Sequence, residues 1–409
     1  MRSKPPLLLL ASLYFAQGLP FGFFTQSVPA LLRQSGASLA TVGSASLLAL
    51  PWALKFLWAP WVDQPGSRLR RILWIQAATA LILVGAAVAR PGLGSLAALA
   101  LVLNILAATQ DVLTDGFAVD TSGIEDRGRV NAIQVGAYRV GMVVGGGAIL
   151  MFFGDRNLSF GFAAMAVMVA FSSLPSLISR EAEVGPSAPS SSAPSISDFL
   201  RVDSNRGWVL MVVVYKFGDA MATSMARPMV VDAGLSLPEV GRVVGTHGFT
   251  AGLCGALAAG EVIRRIGVTK ALLWFGCAQT VSILGYSFIS ASPDRELLTL
   301  AIVAEHFAGG LATTALFTAM MGRCRATSSG TDYTIQASAV VIGTGVASAL
   351  SGAIAQELGY CAFFQLAASI SLLGVIAAWR RSRVPFSSPA PLSRPSEPRE
   401  LLYVEDRLT

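Results

Sequence analysis

The sequence predicts an all-α membrane protein of twelve transmembrane helices, built as two six-helix halves related by internal duplication. Composition identifies the solvent, because 53% of the 409 residues are hydrophobic and only 13% are charged, against roughly 25% charged in a soluble domain. About twelve apolar segments of roughly 18–26 residues are each long enough to cross a bilayer core of about 30 Å. Lipid offers no partner for backbone amides, so these spans are expected to be helices.

The duplication is inferred from similar sequence stretches that recur at one offset of about 201 residues. The frame at 59–71, small-x-x-x-charged-polar-x-Gly followed by basic residues, recurs at 260–270. Two further pairs share nearly the same offset, the stretches 131–134 with 333–336 and Gly18 with Gly218. In a membrane protein, a repeated unit of this size is typical of a transporter whose site lies between the two halves.

The elements follow in chain order from the apolar runs. The first begins near Leu7 and continues through Pro20 to Leu32, which is too long for the apolar core of a cleaved signal peptide. The fifth and eleventh spans begin at the repeated stretches 131–134 and 333–336. Both are rich in glycine, which predicts close helix packing. The twelve predicted spans are 7–32, 39–62, 71–89, 94–118, 131–154, 159–179, 207–231, 237–263, 269–290, 296–320, 331–355 and 359–380.

Composition also predicts the domain boundaries. Residues 1–182 form an N-terminal six-helix bundle, and 207–383 form a C-terminal one. Between them, the Ser/Pro-rich stretch 183–206 is expected to be a cytoplasmic linker with a short surface helix at 196–206. The Pro/Ser-rich tail 384–409 is expected to be disordered.

Loop charge predicts the orientation. Basic residues in loops on the N-terminal side outnumber those opposite by about three to one, which places both termini in the cytoplasm. The net charge of +6 is therefore a topology signal and does not indicate nucleic-acid binding. A high Ala/Gly/Leu content and compact loops favour a bacterial inner membrane, and we expect a monomer in the lipid bilayer.

The sequence argues against enzymatic, metal and cofactor chemistry. Its four cysteines are scattered, only two histidines occur, and no Cys/His spacing suited to a metal is present. HExxH and GxSxG motifs are absent as well. We therefore expect no cofactor, no metal and no catalytic residue.

The frame at 59–71 resembles the loop between helices two and three of the major facilitator superfamily. It keeps the family's Asp and Gly and departs at Ala59 and Gln64, and the second copy has Arg264 where the Asp would stand. The resemblance implies the major facilitator fold and a cytoplasmic gate. The residues expected to form this gate are Asp63, Gly66, Arg68, Arg70, Arg71, Gly260, Arg265 and Gly267.

Four further stretches, at 14–22, 50–60, 108–119 and 131–141, resemble the branch that contains AmpG-type muropeptide permeases and acetyl-CoA transporters. This resemblance covers most of the N-terminal half. It implies carriage of a small-molecule substrate, coupled to protons, and it leaves the substrate open because the branch carries very different molecules.

Charges within apolar spans are expensive, so each is a functional candidate. Asp111 and Asp115 share one helix face, which suits one of them to proton binding, and Glu305 is the corresponding candidate in the tenth span. The alternative for the aspartates is a structural pair with Arg139 in the fifth span. The two histidines, His247 and His306, are expected to be packing residues.

Three basic residues, Lys55, Arg139 and Lys216, favour a substrate with carboxylates or phosphates. Lys55 has an alternative role, snorkelling to the headgroups. Lys216 also has one, because Asp219 lies three residues on and could form a static salt bridge with it. The substrate-binding candidates are Gln17, Lys55, Gln110, Tyr138, Arg139, Lys216 and Asp219.

These observations together predict a secondary active transporter that works by alternating access, as a proton symporter of an anionic solute such as a muropeptide or a CoA thioester. Two alternatives stay open on the sequence. One is a uniporter or exporter of a different small solute, and the other is a transport-inactive membrane sensor with the same fold.

Overall fold

The structure is a computed structural model, and every regular element in the part of the chain it describes is a helix. The all-α prediction is thereby confirmed for these ranges. The described residues are 5–28, 32, 48–149, 151, 158–179, 195–290 and 294–382.

The first half contributes seven labelled helices. α1 and α6 each continue into a π-helical turn, at Phe23–Ser27 and Val144–Ala148. The bounds are α1 Leu7–Gly22, α2 Leu50–Leu54, α3 Ala59–Val62, α4 Arg68–Ala89, α5 Leu93–Thr121, α6 Arg127–Val143 and α7 Leu158–Ile178.

The second half repeats this pattern with longer helices. A π-helical stretch, Gly241–Gly248, joins α10 to α11, and α14 holds the last two predicted spans because Gly359, at φ 71°, breaks its helical geometry. The bounds are α8 Ile196–Arg201, α9 Asp203–Asp232, α10 Leu237–Val240, α11 Phe249–Ile266, α12 Val268–Ile289, α13 Arg295–Met321 and α14 Ser329–Ser382.

Nine helices of the described residues are long and apolar enough to cross a membrane, and one of them is α14 with its two spans. The fifth predicted span, α6, is not among the nine because polar residues stud its first half. The second, predicted as one helix over 39–62, is described from 48 onward. There it is broken by a 3-10 turn at Lys55–Leu57, and Pro60 lies in the first turn of the next helix.

Only the last part of the predicted linker lies within the described residues. The expected helix at 196–206 is present as α8, Ile196–Arg201, and it stops where Val202 takes extended backbone angles. Most of the linker and the whole tail, at 183–194 and 384–409, lie outside the described residues. The boundaries of the two bundles stay predictions.

The hydrophobic core is joined at one end of the bundle and divided at the other. Its largest cluster mixes both halves, and its members come from the ends of helices that lie on the side of the N-terminus. Two further clusters each belong to one half. We call the end that contains Tyr14, Phe117, Trp208, Met320 and Tyr333 the shared end; there the two halves are packed together.

Candidate functional site

A first polar cluster lies within the N-terminal half, where the 3-10 turn aims Lys55 into the protein. The Lys55 side chain is 2% exposed; its ammonium contacts the Asp111 carboxylate and lies 4.0 Å from that of Asp115. Lys55 therefore does not snorkel. The two aspartates share one helix face, as the i, i+4 spacing predicts, and they share one cation.

Asp115 is held by further hydrogen bonds. The Tyr14 hydroxyl donates to Asp115 Oδ1 over 2.8 Å, and Gln134 Nε2 donates to the same oxygen over 3.0 Å. Tyr333 of the second half donates to Gln134 Oε1 over 3.4 Å. Asp115 is thus linked through one glutamine to the opposite half of the molecule.

The predicted pair between Arg139 and these aspartates is wrong. Arg139 and Gln134 are five residues apart on α6, which turns them about 140° apart around the helix axis. Gln134 faces Asp115, so Arg139 faces α11, where a Cβ on Gly252 would lie 2.3 Å from Arg139 Nη1. No ion pair of Arg139 is found in the described part of the chain. The charges that act on it belong to Asp219 and Glu305 of the second half.

A second polar cluster lies in the C-terminal half. Lys216 contacts Asp219, which confirms that this i, i+3 pair forms, and Lys216 Nζ donates to Thr313 Oγ1 over 3.0 Å. Gln279 donates its amide to the same Asp219 carboxylate. Sequence reasoning did not select Gln279.

Glu305 belongs to this second cluster. It is 2% exposed, accepts a hydrogen bond from the Tyr286 hydroxyl over 3.2 Å, and lies 2.9 Å from His306 Nδ1. His306 was predicted to be a packing residue, and it is found to contact a buried carboxylate as well. Beside it is a cavity of about 440 Å³. The cavity is lined by Asp219, Ala220, Thr223, Ser224, Arg227, Val244, His306 and Ser348.

The uncharged candidates join helices more than they line open space. Gln17 Nε2 donates to Thr114 Oγ1 over 2.7 Å, and Gln110 Nε2 donates to the Leu13 carbonyl over 3.3 Å, so both tie α1 to α5. Tyr138 packs with aromatic rings, its centroid 5.7 Å from that of Phe21 and 5.6 Å from that of Trp52.

The first copy of the predicted gate is a buried ion network at the shared end. Arg68 is fully buried and contacts both Asp63, over 2.5 Å, and Asp120. Asp63 Oδ2 also accepts the backbone N–H of Thr331 over 2.7 Å, and Arg68 Nη2 donates to Ser329 Oγ over 3.1 Å. The network thereby holds the start of α14 against the first half.

The remaining residues of this copy shape its loop. Arg71 donates to the backbone carbonyls of Val62, Gln64 and Gly66. Gly66 has φ 119°, in the left-handed region. Arg70 is exposed and forms no ion pair within the described residues, so the structure does not bring its side chain into the network.

The second copy packs across the halves without a buried network. A Cβ on Gly260 would lie 2.9 Å from the Ala132 side chain of α6. Arg265 pairs with Glu261, which also reaches Arg129 of α6 over 3.1 Å. Gly267, at φ 81°, turns the chain into α12. Glu261 is a contact that sequence reasoning missed, and it holds the two halves together where the expected aspartate is replaced by Arg264.

Among the described residues, no group of three or more His, Cys, Asp or Glu side chains could hold a metal ion.

Comparisons with known proteins were made on the whole chain. The sequence profile of the Major Facilitator Superfamily matches residues 10–331 and 208–404. An anhydromuropeptide permease of Escherichia coli is 30% identical over 391 residues, covering 91% of this chain and 79% of the permease. A Rickettsia conorii protein named as transporter AmpG 4 is 25% identical over 369 residues, covering 85% of this chain and 89% of that protein.

Solved structures with the same architecture include a fucose:proton symporter of Escherichia coli, with TM-score 0.73 and 14% identity over 92% of this chain and 98% of that one. A bacterial homologue of the iron transporter ferroportin in an outward-facing state aligns with TM-score 0.69, 16% identity and the same coverage. At these identities the likeness is one of fold. The curated relatives are permeases and transporters, not enzymes.

Proposed function

The chain belongs to the Major Facilitator Superfamily and is a multi-pass membrane transporter, and from this premise we propose that it carries an anionic solute together with protons by alternating access. The solute binds between the halves, at the level of Arg139 and the two polar clusters. The coupling protons bind the carboxylates of those clusters.

The observation that carries the proposal is the position of Arg139. Its guanidinium lies against Gly252 of the other half, within electrostatic range of Asp219 and Glu305, and forms no ion pair within the described residues. A cation with no contacting carboxylate in an apolar interior is costly. An anionic group of the substrate would supply the missing partner, and planar guanidinium suits a carboxylate or a phosphate.

The charge balance of the two clusters is the reason to expect that protons bind there. Lys55 is shared by Asp111 and Asp115, whereas Lys216 contacts Asp219 and leaves Glu305 to its tyrosine and histidine neighbours. Counted with Arg139, four carboxylates face three permanent cations. One bound proton neutralises the set, and protonating Glu305 would remove a negative charge that competes with the substrate anion for Arg139. Proton and anion would then bind cooperatively, because each lowers the electrostatic cost of the other.

The relatives support a substrate class. The Escherichia coli relative is an anhydromuropeptide permease, and muropeptides have peptide carboxylates that could reach Arg139. A CoA thioester would present phosphates to the same group. We further propose that the chain is a monomer in a bacterial inner membrane with both termini cytoplasmic. The shared end is then cytoplasmic, and the structure is an outward-facing state.

Proteoliposome transport tests the proposal. With a pH-sensitive dye in the lumen, adding an anhydromuropeptide outside should acidify the lumen, and an imposed inside-alkaline gradient should drive accumulation of labelled substrate. Arg139→Gln should lower substrate uptake by about ten-fold or more, with partial recovery in Arg139→Lys. Arg242→Gln is the matched control, since Arg242 is exposed and outside both clusters.

Coupling is tested separately. Glu305→Gln should retain substrate exchange while losing accumulation driven by the pH gradient, whereas Glu296→Gln, exposed on the same helix, should behave as wild type. Uptake without any change of lumen pH would replace symport by uniport. Binding without uptake would indicate a sensor, and acidification by CoA thioesters alone would move the substrate to that class.

A further inference from the structure

A groove on the outer face of the N-terminal half has no part in the transport site. It runs between α4 and α7, starts near the shared end, and encloses about 470 Å³. Its walls include Arg70, Trp74, Gln76, Ala80, Ser173 and Leu177. Both helices are membrane spans, so the groove faces lipid.

The mouth of the groove has an unpaired cation beside an interfacial aromatic residue. Arg70 is exposed and forms no ion pair in the described part of the chain, whereas Arg68 pairs with Asp63 and Arg71 donates to backbone carbonyls. Trp74 follows four residues later on the same helix face and is 72% exposed. A basic residue and a tryptophan at one helix end typically mark the headgroup level of a bilayer.

A buried amide lies deeper in the same groove. Gln76 is only 1% exposed, yet neither its Oε1 nor its Nε2 has a hydrogen-bond partner. An amide buried in an apolar setting without a hydrogen-bond partner is unfavourable, so a ligand that supplies the partner would be bound favourably there. Gln279 of the second half, by contrast, has its amide bonded to Asp219. The same residue type therefore has a protein partner in one half and lacks one in the other.

We propose that this groove binds an anionic phospholipid. Arg70 takes the headgroup phosphate, Trp74 lies at the headgroup level, and the Gln76 amide donates to an ester carbonyl of the lipid. Gln76 is six residues from Arg70, roughly 9 Å deeper along the helix, which follows the order of phosphate above ester in a phospholipid. The apolar wall from Ala80 to Leu177 then receives an acyl chain.

A lipid fits these features better than a free anion. A soluble phosphate could satisfy Arg70 but would leave the apolar groove and the buried amide unfilled. Basic pockets between membrane helices are known to recognise anionic headgroups. The site is independent of the transport proposal, because none of its residues belongs to either polar cluster or to the gate network.

Native mass spectrometry of the full chain in detergent tests this site. Phosphatidylglycerol or phosphatidylcholine is added, and the fraction of protein that retains lipid is measured. We expect the wild type to retain more phosphatidylglycerol. Arg70→Gln should lower that retention about five-fold, the factor expected for losing one basic contact with an anionic headgroup. Gln76→Met should lower retention of both lipids, since both have ester carbonyls.

Arg380→Gln is the control, because Arg380 is also exposed beside a half-exposed tryptophan, Trp379, near a helix end. It should leave retention unchanged. Equal losses in Arg70→Gln and Arg380→Gln would overturn the proposal in favour of nonspecific attraction. A thermally more stable Gln76→Met protein with unaltered lipid retention would also overturn it, since the amide would then be an unpaired group without a ligand. A loss of phosphatidylglycerol that inorganic phosphate reproduces by competition would assign the mouth to a free anion.

Discussion

At the scale of single residues, buried carboxylates of the interior share a cation. Lys55 serves Asp111 and Asp115 together, and both carboxylates are nearly inaccessible. Removing one partner of a buried ion pair leaves an uncompensated charge, whereas removing both partners together can be nearly neutral. The cluster should therefore respond unevenly to single and double substitutions.

Lys55→Met is expected to lower the stability of the protein by about 3–5 kcal/mol, because two buried carboxylates lose their cation. The double variant Lys55→Met/Asp111→Asn should recover most of that loss. Thermal unfolding in detergent measures both. A single variant as stable as the wild type would show that the aspartates are already neutral without Lys55.

Gly66 is a second position where one residue decides local structure. At φ 119° it has open space around its Cβ position, so any side chain would suffer from the backbone angle alone. Gly66→Ala should destabilise the loop by about 1–2 kcal/mol. Gly85→Ala, within the last two turns of α4 and with equally open space, should stabilise by about 0.5–1 kcal/mol. Thermal unfolding of the two variants in opposite directions is the expected result.

At the scale of elements, α1 and α6 cross with their backbones in contact. A Cβ on Gly141 would lie 2.3 Å from the Phe15 carbonyl oxygen, and one on Gly18 would lie 2.3 Å from that of Tyr138. Lipid gives no hydrophobic drive for helices to associate, so such close contact is a main source of packing energy. This contact also sets where α6 holds Arg139 and Gln134.

Gly141→Ala should therefore push the two helices apart, at a cost of about 1–3 kcal/mol for overpacking. Gly147→Ala, in the π-helical turn that continues α6 and with nothing within 4 Å of its Cβ position, should be neutral. Thermal unfolding and substrate uptake together check this expectation. Equal stability of the two variants would mean that α1 can move away from α6 without loss of stability.

The sequence predicts features that follow from local chemistry, and it misses contacts made between distant segments. The pair of Lys216 and Asp219 follows from i, i+3 spacing, and the resemblance of the frame at 59–71 points to Asp63 as a residue of the gate. The partner of Asp111 did not follow, because a 3-10 turn redirects Lys55. The Thr331 backbone N–H could not be selected from the sequence, because nearly all residues have a backbone amide. Glu261 could not be selected either, because nothing in the sequence distinguishes it from other exposed glutamates.

At the scale of the whole molecule, the two halves are held at the shared end by two networks of unequal burial. Asp63, Arg68 and the start of α14 form a buried network, whereas Arg129 and Glu261 are about half exposed. Exposed ion pairs are screened by water and salt and contribute little. Closure of the shared end should depend mainly on the buried network.

Cys324 can report that closure. It is buried in the loop before α14, and burial together with the nearby Asp332 carboxylate raises the pKa of its thiol. A raised pKa leaves little thiolate near pH 8, so maleimide should react slowly while the end is closed and faster once it opens. The measurement uses a background with Cys254→Ser, Cys277→Ser and Cys361→Ser.

In that background, Asp63→Asn should raise the alkylation rate of Cys324 about ten-fold or more, because it removes a charge-assisted bond between the halves. Glu261→Gln should change the rate by no more than about two-fold, and less at high salt. The reverse ranking would make the exposed network the principal closure.

Asp63 and Thr331 are 268 residues apart in the chain. At roughly 5–20 residues per second, the ribosome delivers the second partner on the order of tens of seconds after the first. During that interval Arg68 already has Asp63 and Asp120, both from the first half, so the nascent bundle needs no outside counter-charge. The first half can therefore insert with Arg68 already neutralised by its own carboxylates. Docking of the second half then adds the contact of Asp63 with Thr331 and closes the shared end.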